Sequence, residues 1–234
     1  MPGQALAIVQ ARMSSSRLPG KVLADAGGET VLALLLARLS RAASVGRIVV
    51  ATSDRGDDAP VAAEAERAGA GVHRGPLDDV LARFAGAMEG HHDTIVRITG
   101  DCPLVDPALV DAVVALLDEH PDSVYASNVE PRSFPIGLDV EAVRADTLRD
   151  LAARATDPAD REHVTLAIRR DPDRYPREVL SSGRSGLDAL RWTIDSSDDL
   201  ERVRAIVAAL GDRRHTAGWE EILAVPAATH RTDG

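Results

Sequence analysis

Lysine is almost missing from this chain. Of its 27 basic residues, 26 are arginine and one, Lys21, is lysine. A general preference for arginine and alanine explains the trend but not the place of the exception. Cysteine also occurs once, as Cys102, so no internal disulfide can form and a reducing, cytoplasmic setting is expected. Aromatic residues make up 3%, which leaves Ala, Val, Leu and Ile to build the core. No run approaches the roughly 18 uninterrupted apolar residues of a membrane-spanning helix. Residues 1–9 carry no charged stretch ahead of their apolar run, so a signal peptide is not expected. Positive charge is short as well: 37 acidic residues against 27 basic give −10. That balance argues against a basic face for nucleic acid and against an anionic membrane surface, so neither is expected as a partner.

What is present is a globular α/β pattern. The 234 residues are 44% apolar, enough for one large domain with a substantial core. Short apolar runs at 6–11, 47–52, 72–74 and 93–99 read as buried strands. Between and after them, helical spacing covers 30–43, 60–68, 77–89 and 108–118. Such alternation marks a parallel sheet with crossover helices. Beyond residue 120 the rhythm changes. Strands are expected at 123–127, 138–143 and 190–194, and helices at 144–154, 161–169, 198–210 and 219–223. A single domain over 1–225 is expected, in two halves of about 5–120 and 121–225, with a frayed polar tail at 226–234.

Ligands of open parallel sheets bind beyond the carboxyl ends of the strands, and three post-strand loops stand out. The first holds Arg12, Ser14, Ser15, Ser16, Arg17, Gly20 and Lys21. Small side chains expose backbone N–H groups that can form an anion nest, and three cations add charge suited to a polyphosphate. A plain solvated Ser/Arg loop would share this composition. It is neither a Walker loop nor a dinucleotide fingerprint: Lys21 is followed by Val22 rather than Ser or Thr, the first Walker glycine is missing, and no G-x-G-x-x-G occurs in it. The second, Thr99-Gly100-Asp101-Cys102-Pro103, offers a carboxylate suited to a hard cation, although helix capping competes for Asp101. Asp106, before Pro107, reads as a helix cap, and Cys102 as a small filler. In the third, Asp195 ends an apolar run and could supply a second carboxylate, with Ser197 or Asp198 capping the following helix. His91, His92, His215 and His230 sit in surface-like contexts. His163 lies in a polar cluster with Arg161 and Glu162 beside an apolar stripe.

The segment Ala11-Arg12-Met13-Ser14-Ser15-Ser16-Arg17-Leu18-Pro19-Gly20-Lys21 resembles the N-terminal signature of the CTP:sugar-acid cytidylyltransferases, among them the 3-deoxy-manno-octulosonate and acylneuraminate enzymes. Within that family the SpsF-type spore coat polysaccharide biosynthesis subgroup is most similar. The same resemblance runs through Gly75–Phe84, Arg97–Leu104, Gly137–Glu141, Arg161–Thr165 and Thr193–Glu201. It implies a three-layer, Rossmann-like, mostly parallel sheet of the nucleotide-diphosphosugar transferase type, with a nucleotide-binding half followed by an acceptor-binding half. It implies transfer of CMP from CTP to a sugar acid or similar acceptor, with Mg²⁺, in a homodimer. Lys21, Arg12 and Asp101 then fall on catalytic positions. Ala11, Arg12, Ser14, Ser15, Ser16, Arg17, Lys21, Asp79 and Gly100 fall at the nucleotide, and Asp101 and Asp195 at the metal. Asp139, Glu141, Arg161, Glu162 and His163 are the candidate acceptor contacts, with His163 a candidate base. The acceptor-reading segments of the octulosonate and neuraminate enzymes are not recognisable here. A glycosyltransferase of related fold and a non-catalytic nucleotide-binding subunit are the alternatives. The first would present an Asp-x-Asp metal pair, whereas Pro103 stands where its second Asp would be; intact Lys21, Asp101 and Asp195 speak against the second.

Overall fold

The structure is a computed structural model that describes residues 4–90 and 92–229. His91 and His230 lie outside the described residues. Seven strands form one sheet in the order β3-β2-β1-β4-β6-β5-β7. They are β1 (Ala5–Gln10), β2 (Val45–Ser53), β3 (Gly71–Gly75), β4 (Thr94–Thr99), β5 (Tyr125–Ser127), β6 (Glu141–Arg144) and β7 (Arg177–Val179). Only β6 runs against the others. The chain leaves β1 to one side through β2 and β3, then returns to β4 on the other. A crevice therefore opens between the carboxyl ends of β1 and β4, where a doubly wound sheet reverses direction.

Period-two alternation builds the three layers. On β1, Ala5, Ala7 and Val9 pack against α1 (Val31–Leu39), α2 (Ala59–Arg67) and α4 (Pro107–Glu119). Leu6 and Ile8 face the opposite layer, which contains α3 (Val80–Ala87) and α5 (Ala145–Arg154). Thr30 caps α1 by accepting the Ala33 N–H, and Asp106 caps α4 through Ala108, as their positions predict.

The C-terminal third folds back over the N-terminal half. Helix α8 (Ser197–Leu210) and α9 (Trp219–Leu223) share an apolar cluster with Val31 and Leu34 of α1, sealed by Trp192 and Ile194. Arg38 of α1 is fully buried and donates to the carbonyls of Val105, Arg214 and Ala217. Burial pushes its pKa down to about 10, but the three carbonyls keep its donors satisfied.

Five local expectations are corrected. The expected helix 161–169 is two short ones, α6 (Pro158–Glu162) and α7 (Leu166–Arg170), broken at Val164 with φ +44°. The strand expected at 138–143 begins only at Glu141. Residues 190–194 make a single bridge, Arg191 to Ile136, instead of a strand, and β7, which the pattern did not mark, takes the sheet edge. Ser196, not Ser197 or Asp198, caps α8 in a reciprocal box with Asp199. The expected frayed tail starts with an ordered turn at Pro226–Thr229, where Ala228 is buried and accepts a hydrogen bond from Trp192 Nε1 at 2.9 Å.

Candidate active site

The crevice beyond β1 and β4 is a cleft of 420 Å³. Its floor comes from Gln10 and Ala11 on one strand end and from Thr99, Gly100 and Asp101 on the other. The two ends touch: Gly100 N donates to the Gln10 carbonyl at 2.8 Å. A Cβ on Gly100 would lie 2.9 Å from that of Ala11, so this approach requires glycine.

The Ser/Arg loop forms one wall, with Arg12, Ser14, Ser15, Ser16, Arg17 and Lys21 all facing the cleft. Asp58, which the sequence reading passed over, fixes its start. Its carboxylate is buried, accepts the Met13 N–H at 2.6 Å, and is itself held by the Ser53 N–H and hydroxyl. Gly20, at φ +73°, closes the loop by donating to the Met13 carbonyl. The signal available in the sequence was the Asp57-Asp58 pair just ahead of α2.

Lys21 meets three remote oxygens. Its Nζ donates to Asp101 Oδ2 at 2.7 Å, the Ile194 carbonyl at 2.7 Å and Asp195 Oδ1 at 2.9 Å. Burial of the ammonium opposes its charge, but the two carboxylates outweigh it and raise its pKa. Burial likewise works against Asp101, and Lys21 overcomes it, so the carboxyl stays below its usual value. The second Asp195 oxygen takes Arg17 at 3.0 Å and Arg191. Arg12 has no hydrogen-bond partner among the described residues and reaches the cleft free.

Backbone contacts explain how Asp195 arrives. Ile194 N donates to the Asp101 carbonyl at 2.9 Å, and Trp192 N to that of Ile136 at 2.7 Å. The chain can cross here because Gly137 has no side chain: a Cβ there would sit 2.5 Å from Thr193 N. Cys102 is buried beside Asp101, and that burial pushes its thiol well up, consistent with a filler role.

The two carboxylates and the Ile194 carbonyl form a set of hard oxygens converging on one point, which suits a hard divalent cation. In this structure the Lys21 ammonium stands at that point. Among the described residues, no cluster of three or more His, Cys, Asp or Glu side chains is grouped as a metal site.

The expected acceptor contacts separate. Glu162 and His163 line the cleft opposite the loop, at the break before Val164. Arg161 does not reach it. It pairs with Asp79 through Nε at 2.7 Å and Nη2 at 2.6 Å, while Asp79 also caps α3 through Ala82. The presumed nucleotide contact and the presumed acceptor contact are thus spent on one another, tying α3 to α6. Asp139 forms a fork with Arg132 away from the cleft. Glu141 is inside the protein, 4% exposed. Its carboxylate accepts Tyr125 Oη at 2.7 Å, Thr165 Oγ1 at 2.6 Å and Arg97, its cross-strand neighbour. Burial alone would raise its pKa; Arg97 and the hydroxyls lower it instead.

The family profile described as Cytidylyltransferase matches residues 6–205. The chain is 36% identical over 225 residues to the spore coat polysaccharide biosynthesis protein SpsF of Bacillus subtilis (strain 168), covering 93% of this chain and 92% of that protein. It is 38% identical over 225 residues to the 3-deoxy-manno-octulosonate cytidylyltransferase of Solibacter usitatus (strain Ellin6076), covering 88% of this chain and 83% of that one. A cytidylyltransferase structure from Leptospira borgpetersenii serovar Hardjo-bovis superposes with a TM-score of 0.90 at 27% identity, over 98% of this chain and 99% of that chain. The profile spans both strand ends, the serine loop and the Asp195 segment, and with it the chain belongs to the cytidylyltransferase family of nucleotidyltransferases.

Proposed function

We propose that this cleft transfers CMP from CTP to a sugar acid, and that the roles divide as follows. The backbone and serines of 14–16, with Arg12, Arg17 and Lys21, hold the triphosphate. An acceptor oxygen enters from the Glu162 and His163 side and attacks the α-phosphorus in line. A P–O bond forms to the acceptor, the bond to the bridging α–β oxygen breaks, and pyrophosphate leaves with its electron pair. His163, exposed on the cleft, takes the acceptor proton. Chemistry of this kind is mostly positioning and charge neutralisation. Lys21 and Arg17 stabilise charge growing on the departing pyrophosphate.

The observation that carries this reading is the meeting of Lys21, Asp101 and Asp195 in one cleft from segments distant in sequence. Asp101 and Asp195 would hold Mg²⁺, which when bound supplies positive charge to the phosphate oxygens. Arg161, Asp79, Asp139 and Glu141 act in this reading by holding the cleft walls rather than by touching substrate. A sugar-acid acceptor is favoured because the Solibacter relative is named for 3-deoxy-manno-octulosonate. The enzyme is proposed to work as a cytoplasmic homodimer, which sedimentation and cell fractionation would check.

The test is pyrophosphate release from CTP and Mg²⁺ across a panel of sugar acids, sugar phosphates and phosphonates. Acceptor-dependent release is the expected result. Turnover with a ready-made nucleotide sugar alone would identify a glycosyltransferase. CTP binding without release under any acceptor would identify a binding subunit.

A further inference from the structure

Glu162 and His163 reach the cleft from an element that buries little. None of the five residues of α6 is buried. The chain breaks just beyond it, at Val164 with φ +44°, before α7 begins. Ion pairs of Asp157 and Asp160 with Arg170, each at 3.4 Å, lead only across that break to α7. A segment with few buried contacts opens at low free-energy cost. The place of Glu162 and His163 therefore depends on what pins α6.

Arg161 is the pin. Its Nη1 donates to the carbonyls of Ala155 at 2.8 Å and Ala152 at 3.3 Å, at the carboxyl end of α5, where a cation also suits the helix dipole. Its Nε and Nη2 close on one oxygen of Asp79 at 2.7 and 2.6 Å, as short charge-assisted bonds. The other Asp79 oxygen accepts the Ala82 N–H at 2.9 Å. With both oxygens engaged, the carboxylate is fixed to the first turn of α3, so a shift of α3 is passed to Arg161. Val80, the residue after Asp79, opens α3 and lines the cleft. On the far side of the pair, Glu162 directly follows Arg161, and both Glu162 and His163 line the same cleft.

We propose that Arg161 is a positioning residue, and that the Arg161–Asp79 pair is a latch through which nucleotide binding against α3 sets the acceptor wall at Glu162 and His163. A nucleotide held by the serine loop meets α3 at Val80, beside the carboxylate. That contact favours one placement of α3, which is what a ligand needs in order to shift an equilibrium. The proposal rests on the nucleotidyl-transfer reading above, but concerns how the two sides of the cleft communicate.

Hydrogen–deuterium exchange of the full chain, with and without saturating CTP and MgCl₂, tests it; calorimetry on the same samples establishes saturation. In wild type, CTP should slow exchange of the amides of 160–166 by about 5- to 150-fold, the usual range of coupling between two sites. Asp79→Ser keeps an N-cap for α3 but removes the carboxylate, and leaves the bonds of Arg161 to α5 in place. With CTP bound, it should lose most of that slowing. Arg161→Met should lose it as well, and Arg161→Lys, which keeps a charge for Asp79, should restore part. Both side chains of the pair are 26% exposed, so none of these changes empties the core. Slowing that persists undiminished in Asp79→Ser and Arg161→Met would mean that CTP touches Glu162 and His163 itself, or that the pair is a structural tie only, and would overturn the latch. Wild type that binds CTP with no slowing at 160–166 would overturn it too, and leave the transfer reading standing. Wild type that binds no CTP would refute that reading, and the latch with it.

Discussion

Replacing Lys21 by arginine keeps the charge, so it isolates what the ammonium's shape contributes. The Nζ has three oxygens at 2.7, 2.7 and 2.9 Å, contributed by Asp101, Ile194 and Asp195. An ammonium has three N–H donors in a compact tetrahedral spread, one for each. The side chain is 11% exposed, so a larger head has little room to back out. A guanidinium directs its donors in one plane and cannot serve all three acceptors from one atom's position. Overpacking should cost about 1–3 kcal/mol of stability, and losing one hydrogen bond to a charged group about 1.5–3 kcal/mol more. For turnover, removing a preorganised charge altogether would cost about 2.7–4 kcal/mol. Arg keeps the charge but displaces it, so kcat/KM should fall by about ten- to a hundredfold, and Lys21→Met should fall further. Urea unfolding and steady-state pyrophosphate release measure the two effects. An arginine variant with wild-type unfolding midpoint and wild-type kcat/KM would refute the reasoning. The solitary lysine would then be an accident of composition.

Two further substitutions probe the scaffold. Glu141→Gln leaves Arg97 buried without its counter-charge and should cost about 3–5 kcal/mol at pH 7 by urea unfolding. Because Glu141 titrates below 4.5 when folded, its contribution is complete above that pH and is lost as pH falls through the folded value. The gap between wild type and variant should therefore narrow in acid. A Glu141→Gln protein of unchanged stability at pH 7 but raised acceptor KM would return this carboxylate to the substrate. Gly137→Ala sets a Cβ 2.5 Å from Thr193 N at φ +107°. It should cost about 1–3 kcal/mol in backbone strain and lower kcat by shifting Asp195; equal kcat and equal melting temperature would show that the crossing tolerates a side chain.

The nucleotide-binding half was legible because its signals are local. Short Val- and Ile-rich runs such as Ile48–Ala51 and Ile95–Ile98, bounded by polar residues, read as buried strands, and Thr30 and Asp106 announce their helices by position. The loop from Arg12 to Lys21 was equally readable, since its cations and small residues are neighbours in sequence. The reading failed where pairing is remote. Glu141 reads as an available carboxylate until the antiparallel register of β4 and β6 sets it against Arg97. Asp79 and Arg161 each read as ligand contacts because nothing nearby marks them as partners 82 residues apart. Helical periodicity through 161–169 hid a break that only the neighbouring structure enforces, with Thr165 pinned to Glu141 and Val164 forced to positive φ. Lys21 falls between these cases. Its rarity was visible in the composition, and its loop was visible in the motif. What it holds was not, because Asp101 and Asp195 lie 80 and 174 residues away and are brought to it by a backbone crossing that depends on Gly137.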